Sequence, residues 1–261
     1  MFNYGIKHID LIHNPSKMLA LPDSQRQNVL KAMANLSKYL GIYEQYKRQL
    51  KGYGIKWNNQ DIAFNAFLAI FSKKHDTLPE YIKEITPLLY DNEKLFLRFL
   101  AITGLRKQEA ITSFNMIIQL FREGRLTDYY NEDLSVLEHF KYGKLFLRNT
   151  KNAYISFVSK AMIEDITNSK KVSYNAIHCR LLRRKIKLRL KELRSYNNSY
   201  LRKHGILSEL VDVLAGRIPK SVFCRHYLGE NMRNFSNQVL SISEDLEKSI
   251  FSAPKAEMLK I

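Results

Sequence analysis

Cysteine and long apolar runs are both scarce in this sequence. Its two cysteines, Cys179 and Cys224, lie far apart in the sequence and form no CxxC pair, which excludes a disulfide framework and a zinc knuckle. The most apolar stretch, residues 63–71, is too short to cross a bilayer. The histidines show no HExxH or other paired metal-ligand spacing. We therefore expect a cytoplasmic protein that needs no metal and no cofactor.

Acidic residues are also scarce. The 261 residues include 25 Asp and Glu against 42 Lys and Arg, which gives a formal net charge of +17 and a sequence pI near 9.7. Such an excess favours polyanionic partners, because cationic side chains neutralise phosphates and release their counterions. Nucleic acid is the expected partner. Charge alone leaves open two alternatives, a ribosome-associated basic protein and a peripheral membrane protein.

The first part of the chain has the apolar spacing of short amphipathic helices. Apolar residues recur at helical intervals within residues 24–41, and residues 43–51 and 60–72 carry the same pattern. The polar stretch 72–79 that follows is the predicted linker. We therefore predict a small helical N-terminal domain over residues 1–75.

The rest of the chain is predicted to be a second, larger domain over residues 80–235. Residues 91–104 indicate one helix stopped by a glycine, and residues 173–193 indicate a strongly basic helix. Strand signals appear once, over residues 144–158, where two β-rich runs flank the turn-forming residues 149–152. The predicted fold class is therefore mainly α with a small β-hairpin.

Four pieces of the second domain suggest one chemistry. The first is the sequence TGLRKQE at residues 103–109, in which a glycine helix end is followed by Arg106 and then by a glutamate three positions on. The others are KELR at residues 191–194, the pair Gly216 and Arg217, and Tyr227, ten positions after Arg217. Taken singly, each is also compatible with ordinary surface residues of a helical protein, and their order and spacing carry the argument.

This order and spacing resembles the tyrosine recombinase, or phage integrase, family. That family has an arginine in a TGLR-like turn, a hairpin lysine, an HxxR motif, a GH pair and a nucleophilic tyrosine about ten residues later. Here HxxR reads KxxR and GH reads GR, which is similar to the integrases of archaeal viruses and plasmids. The resemblance implies that residues 80–235 form the catalytic domain and that residues 1–75 form a core-binding-like DNA-binding domain.

The resemblance also implies catalytic roles. Its candidate site residues are Arg106, Lys151, Lys191, Arg194, Arg217 and Tyr227. Tyr227 would attack a backbone phosphate, and the product would be a 3'-phosphotyrosyl link that keeps the bond energy, so that rejoining needs neither ATP nor a metal. The arginines suit this role because planar guanidinium groups bind phosphate oxygens bidentately and stabilise charge that develops on them.

A hairpin lysine is the expected general acid for the departing 5' hydroxyl group. Lys151 lies in the predicted turn and is preferred, with Lys144 and Lys141 as rivals. Lys191 stands where relatives have histidine, and stabilisation of charge is its expected role.

The resulting expectation is a site-specific recombinase that acts on double-stranded DNA as a dimer or tetramer and associates with the nucleoid. Residues 236–261 are expected to form a C-terminal tail that packs on a neighbouring subunit. The alternatives are a type IB topoisomerase-like enzyme, a catalytically inactive DNA-binding relative and a basic RNA-binding helical protein. The sequence does not determine the target site, or whether the reaction is integration or excision.

Overall fold

The computed structural model of the protein describes residues 2–55, 77–148, 151–218 and 231–251. The chain divides into two compact units, Met1–Lys73 and Lys74–Ile261. The helix predicted at residues 60–72 lies outside the described residues. No helix within the described residues is long and apolar enough to cross a membrane.

The first unit is built from helices α1 (Phe2–Lys7), α2 (Asp23–Tyr39) and α3 (Tyr43–Gly52). Their boundaries agree with the helices predicted from residues 24 and 43 onward. The unit has its own core, in which Val29, Leu30 and Met33 of α2 are fully buried. These three positions share one helix face, as the apolar spacing predicted.

The second unit is mostly helical. Its described helices are α4 (Leu78–Ile85), α5 (Asp91–Thr103), α6 (Lys107–Arg122), α7 (Gly143–Phe146), α8 (Lys160–Thr167), α9 (Tyr174–Arg183), α10 (Leu190–Lys203), α11 (Ser208–Leu214) and α12 (Met232–Phe251). Helix α5 lies at the centre of the core, where Phe96 and Phe99 meet Phe114 of α6 edge to face, with ring centroids 5.7 and 5.8 Å apart. Edge-to-face aromatic contacts of this kind stabilise a core beyond their buried area.

The predicted C-terminal tail begins inside α12. This helix packs against α4, α5 and α10 of its own chain, and its Leu246 and Ile250 are fully buried in the main core. The described part of the tail therefore belongs to the second unit. A contact of residues 236–261 with a neighbouring subunit stays a prediction.

Five strands of two residues each form two small antiparallel sheets within the described residues. Strands β1 (Tyr130–Asn131), β2 (Val136–Leu137) and β5 (Ser156–Phe157) form one sheet in the order β1-β2-β5. The second sheet pairs β3 (Leu147–Arg148) with β4 (Lys151–Asn152). The predicted hairpin is thus present, but it is shorter than residues 144–158, since α7 precedes it and β5 belongs to the other sheet.

The β1–β2 hairpin was not predicted from the sequence. Its strands are too short to show an alternating pattern, and both residues of β2 are buried. Val136 faces the smaller cluster around α11, whereas Leu137 faces the main core. A strand that is buried on both faces shows no alternation of polar and apolar residues.

The basic helical segment predicted over residues 173–193 is interrupted, since α9 ends at Arg183 and α10 begins at Leu190. Between them Lys185 has a φ of +61°. The Tyr81 hydroxyl group donates to the carbonyl oxygen of Lys187 at 2.9 Å and accepts from the backbone N–H of Arg189 at 3.1 Å. A tertiary contact therefore replaces the helical hydrogen bonds at this break.

Candidate active site

Arg106 stands at the start of α6, immediately after the turn that ends α5. Gly104 has a φ of +57°, a left-handed conformation that glycine adopts without strain, and it redirects the chain between the two helices. The backbone N–H of Arg106 donates to Oε2 of Glu109 at 3.0 Å, while its Nη1 donates to Oε1 at 2.8 Å. Glu109 is buried. The glutamate therefore fixes both the backbone and the side chain of Arg106.

Arg194 joins two turns that are distant in sequence. Its Nη1 donates to the carbonyl oxygen of Gly104 at 2.8 Å, and its Nη2 donates to that of Ala215 at 2.6 Å. Burial, together with the neighbouring charges of Arg106 and Arg217 and against that of Glu109, lowers the pKa of Arg194 to about 10. The guanidinium group remains protonated at neutral pH, and the structure brings three of the predicted arginines into one cluster.

Helix α10, which carries Arg194, is docked on α5 through a buried asparagine. The amide nitrogen of Asn197 donates to the carbonyl oxygens of Ala101 and Ile102 at 2.8 and 3.0 Å. A Cβ atom at Gly104 would lie 2.5 Å from the amide oxygen of Asn197, so the close approach of the two helices requires glycine there. This contact sets the position of Arg194 relative to Arg106.

Arg217 is the most exposed arginine of the cluster, with 65% of its side chain accessible. Its Nη1 donates to Oδ1 of Asp212 at 3.1 Å, and Arg202 contacts the same oxygen at 3.2 Å. Exposed ion pairs of this kind are weak, so the side chain can change partners when a phosphate approaches.

Of the candidate lysines, Lys191 shares α10 with Arg194, and Lys151 lies on β4, whose Asn152 bonds Arg106. Lys191 is exposed on α10, one turn before Arg194, and Lys151 is exposed on β4. Of the rivals, Lys144 is exposed on α7, whereas Lys141 contacts Oε2 of Glu138 at 2.5 Å. Tyr227, like Cys224, lies outside the described residues.

Two residues of the β3–β4 hairpin, Arg148 and Asn152, contact the site but were not predicted from the sequence. Nη2 of Arg148 donates to Oε1 of Glu109 at 2.9 Å, so one buried carboxylate holds both Arg148 and Arg106. The carbonyl oxygen of Asn152 accepts from Nη1 of Arg106 at 3.1 Å. The available signal was Arg148, which faces Lys151 across the strand pair.

The sequence was compared with protein families, curated proteins and solved structures. A family described as archaeal phage integrase matches residues 79–238. The chain belongs to the archaeal phage integrase family. All six predicted site residues lie within the matched range, and the resemblance to archaeal integrases is confirmed. No curated protein and no solved structure matches the chain. Membership of this family gives the protein a role in site-specific DNA recombination.

One glycine of the integrase brings the end of α11 against the hairpin. Gly216 has a φ of +68°, and a Cβ atom there would lie 1.6 Å from the carbonyl oxygen of Asn152. No side chain fits this space without movement of the hairpin. Gly216 therefore keeps its neighbours Ala215 and Arg217 next to strand β4. Ala215 accepts a hydrogen bond from Arg194, and Asn152 of β4 accepts one from Arg106.

We expect Gly216→Ala to destabilise the integrase strongly. Gly124 is the matched control, because it has the same φ of +68° and a Cβ there would meet nothing within 4 Å. The left-handed conformation costs alanine about 1–2 kcal/mol at either position. The clash with Asn152 should add about 1–3 kcal/mol at position 216 alone. Urea unfolding of both variants measures the difference, and equal losses would show that the close contact does not exist.

Proposed function

We propose that this integrase cuts and rejoins DNA strands through a covalent 3'-phosphotyrosyl intermediate formed by Tyr227. The observation that carries the proposal is the fixed arrangement of Arg106 and Arg194. Carbonyl oxygens of three separate places in the chain, the helix ends at Gly104 and Ala215 and strand β4 at Asn152, hold the two guanidinium groups. Cations that are already oriented stabilise a transition state without reorganisation during the reaction.

The arginine cluster supports phosphate binding by its charge. Four arginines, Arg106, Arg148, Arg194 and Arg217, are in contact with or close to one another and face two carboxylates, those of Glu109 and Asp212. The cluster therefore keeps an excess of positive charge. The lowered pKa of Arg194 reflects this excess in part, and a bound phosphate would relieve it.

The hydrogen bonds of Arg106 leave donors for a ligand. Among the described residues, all its guanidinium hydrogen bonds run through Nη1, and 28% of the side chain is exposed. Nη2 and Nε can then donate in parallel to two phosphate oxygens, the bidentate geometry that arginine favours. In the proposed reaction Arg194 and Arg217 bind the same phosphate.

The remaining roles follow from the chemistry of phosphoryl transfer. Tyr227 attacks the phosphorus, Lys151 protonates the departing 5' oxygen, and Lys191 stabilises charge on the phosphate. The phosphotyrosyl link keeps the energy of the phosphodiester bond, so that rejoining uses neither ATP nor a metal. The helical unit at residues 1–75 is proposed to bind DNA beside residues 80–235, and paired cleavage of two duplexes requires a dimer or tetramer.

A stretch of exposed cations supports binding to the DNA backbone. Residues 166–191 contain no Asp or Glu. The exposed cations of this stretch, here called the basic surface, are Lys170, Lys171, Arg183, Arg184, Lys185, Lys187 and Lys191. An exposed group of like charges attracts phosphates at long range.

We expect the triple substitution Arg183→Gln, Arg184→Gln and Lys185→Gln to reduce the salt dependence of DNA binding. Each phosphate contact contributes about 0.9 to the slope of log K against log salt concentration, so three lost contacts lower the slope by up to about 2.7. The control replaces Arg125, Lys160 and Lys248, which contact Asp128, Glu132 and Asp245. Fluorescence anisotropy over a salt series measures both slopes. Equal slopes for the two triple variants would contradict the assignment of the basic surface.

The proposed function is tested with nicked duplexes that carry candidate target sites. A nick just 3' of the cleavage point lets the short fragment with the 5' hydroxyl group diffuse away, which traps the covalent intermediate. We expect a denaturant-resistant protein–DNA adduct, formed in EDTA without ATP, that carries a label placed at the 5' end of the cleaved strand. An adduct that carries the 3'-end label instead, or cleavage without any adduct, would contradict the proposal. Relaxation of supercoils without strand exchange would favour a topoisomerase-like activity.

A further inference from the structure

We propose that Asn152 is a positioning residue that holds Lys151 at a fixed place beside Arg106. The inference rests on the proposed function, because it assumes that Lys151 protonates the leaving oxygen. Asn152 contacts the elements that bear the arginine cluster both through its backbone and through its side chain. Strand β4, which consists of Lys151 and Asn152, therefore has its position set by the second of its two residues.

The backbone of Asn152 connects the hairpin to the two arginine-bearing turns. Its carbonyl oxygen accepts from Nη1 of Arg106 at 3.1 Å. The same oxygen lies so close to Gly216 that a Cβ atom there would be 1.6 Å away. The peptide unit of Asn152 therefore lies between Arg106 on one side and the end of α11 on the other.

The side chain of Asn152 closes the hairpin. Its Oδ1 accepts from the backbone N–H of Arg148 at 2.8 Å, and its Nδ2 donates to the hydroxyl group of Tyr154 at 3.0 Å. The Arg148 side chain is bonded to the buried Glu109 in turn. The first strand of the hairpin is thereby tied to α6, and the second strand is tied to the first.

These contacts matter because the hairpin has little stability of its own. Two residue pairs, Leu147 with Asn152 and Arg148 with Lys151, make up its ladder. An isolated two-stranded hairpin is marginal in water even when it is longer. The Lys151 side chain is exposed, so the position of its backbone depends on the contacts of its neighbour Asn152.

Protonation of the leaving oxygen offers a way to measure whether Lys151 is correctly placed. As the Tyr227 oxygen bonds to phosphorus and its proton passes to solvent, the bond from phosphorus to the 5' oxygen breaks and Lys151 gives that oxygen a proton. A sulfur atom in place of the 5' oxygen leaves as a thiolate and needs no proton, since a thiol has a pKa of about 8.5. A displaced general acid therefore slows cleavage of the oxygen substrate and spares the sulfur substrate.

The experiment compares single-turnover cleavage of a nicked duplex with a normal phosphodiester and of the same duplex with a 5'-bridging phosphorothiolate. The variants are Asn152→Ala, Lys151→Ala and Asn115→Ala. We expect Asn152→Ala to cleave the phosphodiester about 100-fold more slowly than the unsubstituted protein, the order of loss that a misplaced catalytic group produces. On the phosphorothiolate it should stay within a few-fold of the unsubstituted protein, as should Lys151→Ala.

Asn115 is the matched control for lost hydrogen bonds. Its amide group donates to the carbonyl oxygen of Val172 at 2.9 Å and accepts from the N–H of Val172 at 2.8 Å. Asn115→Ala therefore loses two side-chain hydrogen bonds, as Asn152→Ala does, but it should cleave both substrates normally. Should Asn152→Ala fail to fold, Tyr154→Phe removes the acceptor of the Asn152 amide alone, and it should show the same pattern with a smaller loss.

The outcomes separate this inference from the proposed function. If Lys151→Ala is rescued by the phosphorothiolate and Asn152→Ala is equally slow on both substrates, the positioning role is wrong and the proposed function stands. If Lys151→Ala is not rescued, Lys151 is not the acid, and the inference falls with that assignment. A failure of the proposed function shows in the unsubstituted protein, which would then form no adduct with either substrate and would overturn the inference as well.

Discussion

Tyr227→Phe is expected to abolish the covalent protein–DNA adduct and to leave DNA binding unchanged. Phenylalanine keeps the ring but lacks the oxygen that is proposed to bond to phosphorus, and no other group of the proposed site replaces it. The arginine cluster and the basic surface keep their charge in this variant. The adduct is measured on a denaturing gel with the nicked duplex, and binding is measured by fluorescence anisotropy.

The control for Tyr227→Phe is Tyr90→Phe. Tyr90 is an exposed tyrosine of the same unit, and its ring, on which Arg180 lies at 3.4 Å, is kept in the variant. Tyr90→Phe should form the adduct as the unsubstituted protein does. An adduct of normal yield in Tyr227→Phe would show that another residue is the nucleophile.

Arg194→Ala is expected to slow cleavage by about 10²–10³-fold, the usual effect of removing one preorganised donor from a charged transition state. The guanidinium group joins the turns at Gly104 and Ala215, and it is proposed to bind the phosphate as well. Arg194→Lys keeps the charge but cannot reach both carbonyl oxygens in the planar geometry of arginine, so it should recover only part of the rate. Single-turnover cleavage with excess protein measures the chemical step.

Arg98→Ala separates a loss of stability from a loss of catalysis. Arg98 is a half-buried arginine that contacts Glu247 of α12 and lies 3.9 Å from Asp165. Its removal should lower the free energy of unfolding without changing the cleavage rate of the folded protein. If Arg98→Ala and Arg194→Ala slow cleavage equally, Arg194 acts through stability, and its proposed contact with phosphate is wrong.

The helices were predictable where short signals mark their ends. Gly104 ends α5 and the glutamate at position 109 caps α6, so the turn that holds Arg106 could be predicted from residues 103–109 alone. The apolar spacing of α2 likewise predicted which of its residues are buried. Such local signals suffice because each depends on residues within one or two turns.

The proximity of the arginines could be predicted only from the family resemblance. Arg194 contacts a carbonyl oxygen 90 residues away, and Arg106 contacts one 46 residues away. Every residue has a backbone carbonyl group, so no sequence motif shows which of them bind these guanidinium groups. The same holds for Asn152, whose neighbours in space are set by the close approach of Gly216.

The break in the basic segment could not be predicted from the sequence, for a related reason. Every residue between α9 and α10 is compatible with a helix, and the interruption comes from Tyr81, more than 100 residues earlier in the chain. A single buried hydroxyl group that satisfies both an N–H and a C=O can replace helical hydrogen bonds. Tertiary contacts of this kind override local helix propensity.

The central claim is that the phenolic oxygen of Tyr227 becomes bonded to DNA phosphorus, and peptide mapping of the trapped adduct tests it most directly. Trypsin cleaves after Arg225 and Arg233, so the peptide of residues 226–233 contains Tyr227 as its sole tyrosine. After nuclease digestion, we expect mass spectrometry to find this peptide with a nucleotide attached through its 3' phosphate to Tyr227. A nucleotide on any other peptide, with residues 226–233 unmodified, would contradict the account.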